Sequence, residues 1–254
     1  MTKQAPSILN NDDFLNSDIN VKWGKDSKGY FLFKVQNEKL LDIVLTLNHK
    51  AIIGLTAALS EWIFWRISKI FSIESITLNT DVLWLGQIDK RYINNSQYGN
   101  EQKEDIYDDI LWVLFGCLDE IRYNYTIGSY RIIYRVVNLA MLARYITPNP
   151  SVFDTWLADV LKRATKLFPA QYNRQDVRDH PKKYPEFYDS SNEPPIPREF
   201  FFEPDFDYET ANIDELLSAF MQKVDHSNPL YFKPAKEMIA EGFVGIPYVY
   251  PQPK

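Results

Sequence analysis

The chain has 254 residues, with 28 Lys and Arg against 34 Asp and Glu, a formal net charge of −6 and a single cysteine, Cys117. One cysteine excludes a disulfide framework and any Cys-built zinc or iron–sulfur site within one chain, and the acidic balance argues against a general nucleic-acid binder, which needs a basic surface. A content of 45% hydrophobic and 24% charged residues is that of a globular chain able to build a sizeable core, expected here as a single domain over 1–254.

The first residues, MTKQAPSILNNDDF, lack an apolar run and carry Asp12 and Asp13, so no secretory signal is expected and the chain is read as cytoplasmic. Ile19, Val21 and Trp23 alternate with polar neighbours before GKDSKG and the run Tyr30–Val35, which predicts a β-hairpin over 18–36. From Pro6 to Pro148 there is no proline, and this span permits long helices. Helices are expected at Glu38–Leu47 and at His49–Phe71, where Ile52, Leu55, Leu59, Trp62, Ile63 and Ile70 share one face. Glu61, Arg66 and Lys69 make that second segment a poor membrane span. A third helix is expected at Asp81–Ile93, capped by Thr80 or Asp81. A loop at 94–100 leads to a fourth at Glu101–Tyr123, whose first residues are acidic, as the helix dipole favours. A fifth runs from Gly128 or Ser129 to Ile146, stopped by Thr147-Pro148, and a sixth from Pro150-Ser151 to about Phe168, stopped by Pro169.

Eleven of the 15 prolines follow from Pro181 onward, and no glycine lies between Ser129 and Glu241. The region 169–254 is therefore read as irregular, with two short helices at Asn212–Val224 and Pro234–Glu241. The predicted fold is mainly α: an antiparallel helical bundle with a body over 37–168, a small N-terminal hairpin and an irregular, Pro-rich C-terminal region.

Phosphate-loop, dinucleotide, zincin and nucleophile-elbow motifs are absent, and the histidines His49, His180 and His226 have no ligand spacing. Asp105, Asp108 and Asp109 share one side of a helix. Carboxylates at this spacing can hold Mg²⁺ and resemble the aspartate cluster of prenyl-converting enzymes, although the second acidic motif of those enzymes is not evident. The better supported reading is ion pairing across a helical hairpin: Asp119 and Glu120 to Arg131 and Arg135, and Asp108 and Asp109 to Arg144. Arg66 sits on an apolar face and needs a structural partner or an anion. Asp176, Asp179 and His180 are crowded by Arg174, Arg178, Lys182 and Lys183, which oppose a cation. No metal and no cofactor are expected.

Charge divides sharply near the C-terminus: 162–183 holds seven bases and two acids, and 186–209 holds eight acids and one base. Within the second block, Glu199, Glu203, Asp205, Asp207 and Glu209 interleave with Phe200, Phe201, Phe202, Phe206 and Tyr208. Such a strip can dock a basic partner, with rings as anchors and charge as steering, or it can be a cover whose rings seal the bundle. Near-extended chain around Pro204 is expected to turn some rings outward. The expected function is a non-catalytic protein-binding module, specifically an immunity protein that neutralises a cognate bacterial toxin with a basic domain. No nucleic acid and no membrane are expected as partners. The alternatives are an all-α metal-dependent enzyme using helix-borne carboxylates, and a scaffold subunit of a larger assembly.

Overall fold

A computed structural model describes residues 4–19, 37–70, 74–95, 109–129, 131–171 and 190–252. These residues are mainly helical, and among them no strand forms. The helices are α1 (Asp12–Asn16), α2 (Glu38–Val44), α3 (His49–Ile67), α4 (Glu74–Gly86), α5 (Asp109–Thr126), α6 (Ile132–Ile146), α7 (Pro150–Leu167), α8 (Arg198–Phe202), α9 (Ile213–Lys223) and α10 (Ala235–Ala240). The hairpin expected over 18–36 falls almost wholly outside the described residues.

Asparagine starts many of these helices. The side chains of Asn11, Asn37, Asn48, Asn149 and Asn212 each accept a hydrogen bond from a backbone N–H one turn or less ahead, so α1, α2, α3, α7 and α9 all open on an Asn cap. At α7 the cap is followed by Pro150, whose missing N–H costs nothing at the first helical position.

Helix α3 is the centre of the molecule. Of its residues only Phe64 and Trp65 are not buried, because it packs against α4 and α6 along its length and against α8 and α1 as well. A helix enclosed on all sides reads as apolar all round rather than as a stripe. Trp62 anchors this centre. Its indole N–H donates to Thr147 Oγ1 at 2.9 Å, and the rings of Phe14, Phe153 and Trp156 lie 4.6–5.5 Å from its own. Helix α5 packs on α6, and among the described residues the buried apolar side chains from Leu9 to Phe243, Leu217 apart, form one cluster.

Two expectations are corrected. The helix predicted at Asp81–Ile93 begins at Glu74 and stops at Gly86, and Lys90–Tyr92 is a separate 3₁₀ turn. Thr80 and Asp81 are buried in mid-helix and are not caps; Thr80 Oγ1 sits 2.8 Å from Ile76 O and 2.7 Å from Ser60 Oγ. A Thr-Asp pair has the local signature of a helix start, but burial against α3 decides otherwise. The stretch after Pro197, expected to be irregular, contains the short helix α8.

Candidate functional site

The acid-and-ring strip is built on α8. Arg198 opens the helix and pairs with Glu61 of α3: its Nε donates to the two carboxylate oxygens at 3.0 and 2.8 Å, and its terminal nitrogen binds Oε1. Burial opposes the Arg198 charge, but hydrogen bonding and attraction from Glu61 hold its pKa above the ordinary value. At the other end α7 receives two carbonyls of α8. Trp156 Nε1 donates to Phe201 O at 2.7 Å, and Arg163 donates to Phe200 O at 2.8 Å. Carbonyls that a short helix would otherwise leave open are thus satisfied.

Phe200, Phe201 and Phe202 are all buried. Consecutive residues of a helix point about 100° apart, so three buried rings in a row require neighbours on several sides, and α8 has them. Phe201 lies 5.5 Å from the Trp84 ring of α4, Phe200 lies 5.3 Å from Phe168, and Phe202 stacks 6.1 Å from Trp156. The extended geometry expected around these rings is therefore corrected: helix replaces it, and no ring of 200–202 is turned outward. Phe206 and Tyr208 are half-buried and pack on the core, and Tyr208 donates its hydroxyl to Pro195 O at 2.9 Å.

The acids behave differently. Glu203, Asp205, Asp207 and Glu209 are exposed, while Glu199 is half-buried. Hydrogen bonds from the Thr210 side chain and from the Glu209 amide hold the Asp207 carboxyl below the usual range. The loop presents four carboxylates from a base locked to α3, α4 and α7.

Beside this loop lies a groove of about 460 Å³ that sequence reasoning missed. Its apolar wall is Ile8, Val152, Trp156, Phe201, Phe202 and Pro204, and its polar rim includes Asp159 and Arg163 of α7. The rim residues pair with each other at 2.8 Å. Proximity of Ile8 to Pro204 carries no local sequence signal, because almost 200 residues separate them.

A second cavity, of about 470 Å³, is lined by Lys50, Asp89, Lys90, Arg91, Ser190 and Ser191. Asp89 caps the Lys90–Tyr92 turn and receives Arg91 Nε at 2.9 Å, and the Lys50 amine lies 3.4 Å from Ile88 O. Nearby, Glu193 accepts hydrogen bonds from the amides of His49 (3.2 Å) and Lys50 (2.7 Å), completing the N-terminus of α3 with a carboxylate from 143 residues away. His49 is buried, and burial, with Lys90 adding, pushes its pKa down to about 3.

The other sequence candidates are placed as follows. Asp105 and Asp108, with Asp176, Asp179 and His180, lie outside the described residues, and so does the side chain of Asp109. Among the described residues no group of three His, Cys, Asp or Glu is placed to hold a metal. Glu120 does pair with Arg135, at 2.9 Å to Oε1. Asp119 instead pairs with Arg122 on its own helix at 2.6 Å, and both are buried. Arg144 is bound by Asp154, its Nε donating at 2.8 Å; the partners expected for it, Asp108 and Asp109, have no described side chain. Arg66 is buried, which lowers its pKa while the charge of Asp18 opposes that shift, and it donates to the carbonyls of Ile146 (2.8 Å), Ser17 (2.7 Å) and Asp18 (3.0 Å). It thereby closes the C-terminus of α6 and ties down the chain after α1.

Comparison of this chain with protein-family models, curated proteins and solved structures finds no match. Among the described residues no helix is long and apolar enough to cross a membrane.

Proposed function

We propose that the chain is a non-catalytic protein-binding module that occludes a basic partner, in the specific form of an immunity protein that binds and neutralises a bacterial toxin. The observation that carries this reading is the loop Glu203–Glu209. It presents four exposed carboxylates and no base, and the run of acids without Lys or Arg continues through Asp214 and Glu215. A single-sign surface on a rigid mount steers a basic partner and loses little conformational entropy on binding. The buried rings supply the mount, and the carboxylates supply the contact.

The test is neutralisation. The product of the gene adjoining the one for this chain is expressed in a bacterial host with and without it, and growth is followed. Rescue by the wild type, reduced by the double variant Asp205→Lys/Asp207→Lys at equal expression, is the expected outcome. If the neighbouring product is harmless, or if the double variant rescues as well as the wild type at equal expression, occlusion through this loop is wrong.

A further inference from the structure

We infer that the groove beside the acidic loop is a socket for one apolar side chain, aromatic or leucine, carried on a basic segment of the partner. This deepens the protein-binding reading above and rests on it. The groove is open on one side to solvent; its accessible apolar lining is Ile8, Val152 and Pro204, and these rest on the buried Trp156, Phe201 and Phe202, which the hydrogen bonds between α8 and α7 hold in place. Its rim carries Val152, which is 40% exposed, and the exposed Thr155. A preformed apolar concavity on a rigid floor is where a protein interface places its anchor residue, while charges at the edge set approach and register.

Charge selects the occupant. Pro204 lines the groove, and its sequence neighbours Glu203 and Asp205 are both exposed acids. On α7, Asp159 keeps nearly half of its side chain exposed, while Arg163 is taken up by Asp159 and by Phe200 O. The edge facing the loop is therefore negative. Exposed Lys162 and Lys166 lie further along α7, which orients the partner's bases toward Glu203 and Asp205 and away from that end of the helix. An acidic or neutral apolar segment lacks this complementarity.

The probes are fluorescein-labelled short peptides: a Leu-Trp pair flanked by lysines, the same pair flanked by glutamates, and the lysine peptide with Ser-Ser in place of Leu-Trp. Anisotropy is measured on the full chain at low and physiological salt, with NMR of the Ile8 and Val152 methyl groups to locate binding. The lysine Leu-Trp peptide is expected to bind about tenfold tighter than either control and to shift those methyl signals. Thr155→Tyr, which fills the groove from an exposed position, is expected to weaken binding about tenfold while leaving the salt dependence in place. Glu203→Lys is expected to flatten that dependence. Val152→Ser provides a second groove variant should Thr155→Tyr disturb the circular-dichroism spectrum. The inference is overturned if the Ser-Ser peptide binds as well, since charge alone then suffices, or if the glutamate peptide does, since the groove is then merely apolar. It is also overturned if the groove variants abolish a dimer of this chain, because a second copy then fills the groove. Failure of the two readings is separable. Toxin rescue that survives Thr155→Tyr removes the socket and leaves the occlusion role, whereas peptide binding as expected with no rescue by the wild type removes the toxin role.

Discussion

Arg198 and Glu61 form a buried ion pair across 137 residues of sequence, with the Glu61 side chain fully enclosed and that of Arg198 only 14% exposed. The pair pins the first residue of α8 to the central helix, and Trp65 donates a further hydrogen bond to Glu61 at 3.2 Å. Everything the acidic loop presents to solvent hangs from this attachment and from the three rings that follow it.

Removing one partner leaves the other charge buried without compensation. Glu61→Ala is expected to lower unfolding free energy by about 3–5 kcal/mol, measured by urea denaturation, whereas Glu61→Met/Arg198→Met together should fall within about 1–2 kcal/mol of the wild type. If the single and double variants lose equal stability, the pair is not the origin of the effect.

Gly54 lies where α3 meets α8. A Cβ built there would lie 2.5 Å from Phe201 Cζ and 2.8 Å from Cε2, and would also meet the Gln87 amide. The Gln87 end could swing aside, but the Phe201 ring is hemmed in by Trp84 and Phe200. Alanine gains about 1 kcal/mol in helix propensity over glycine, and overpacking costs about 1–3 kcal/mol. Gly54→Ala is therefore expected to destabilise, and a rise in melting temperature would contradict the close approach described above.

Two buried groups give opposite pH dependences. His49 is neutral in the fold down to about 3, against an ordinary 6.5, chiefly because of its burial. Its contribution is full above 6.5 and is lost as pH falls toward 3. Burial raises the Asp81 carboxyl from 3.8 to about 6, so its contribution is full below 3.8 and is lost as pH rises toward 6. Between these limits the two slopes oppose each other. Asp81→Asn should expose the histidine slope, a rise in stability of about 1.4 kcal/mol per pH unit between about pH 4 and 6 relative to the wild type. His49→Gln should tilt the profile the other way. Urea midpoints across that interval check both, and parallel profiles for the three proteins would refute the assignment.

Cys117 is fully buried on α5, and burial pushes its thiol up to about 12 against the opposing pull of Arg135. Thiol reagents attack the thiolate, so the native chain should remain unlabelled by a disulfide reagent while the denatured chain takes up one equivalent. Rapid labelling of the native chain would show that α5 opens readily from α6.

Much of the helical layout is legible in the residues themselves, because it rests on local interactions. The Asn caps act within a turn of where they stand, Pro148 and Pro169 stop helices for covalent reasons, and the proline-free span carries α3, α4, α5 and α6. The acidic character of 199–209 is likewise a property of composition. Only tertiary structure decided which half of that strip faces solvent. Three successive phenylalanines have no periodicity that assigns a face, and their burial follows from α3, α4 and α7 closing around a five-residue helix. The partners of Arg66, Arg144 and Asp119, the carboxylate of Glu193 on α3 and the groove between Ile8 and Pro204 belong to the same class. Each depends on segments that meet only after the core has formed. A side chain's charge and length limit what it can bind, but the distance to its partner is set by packing.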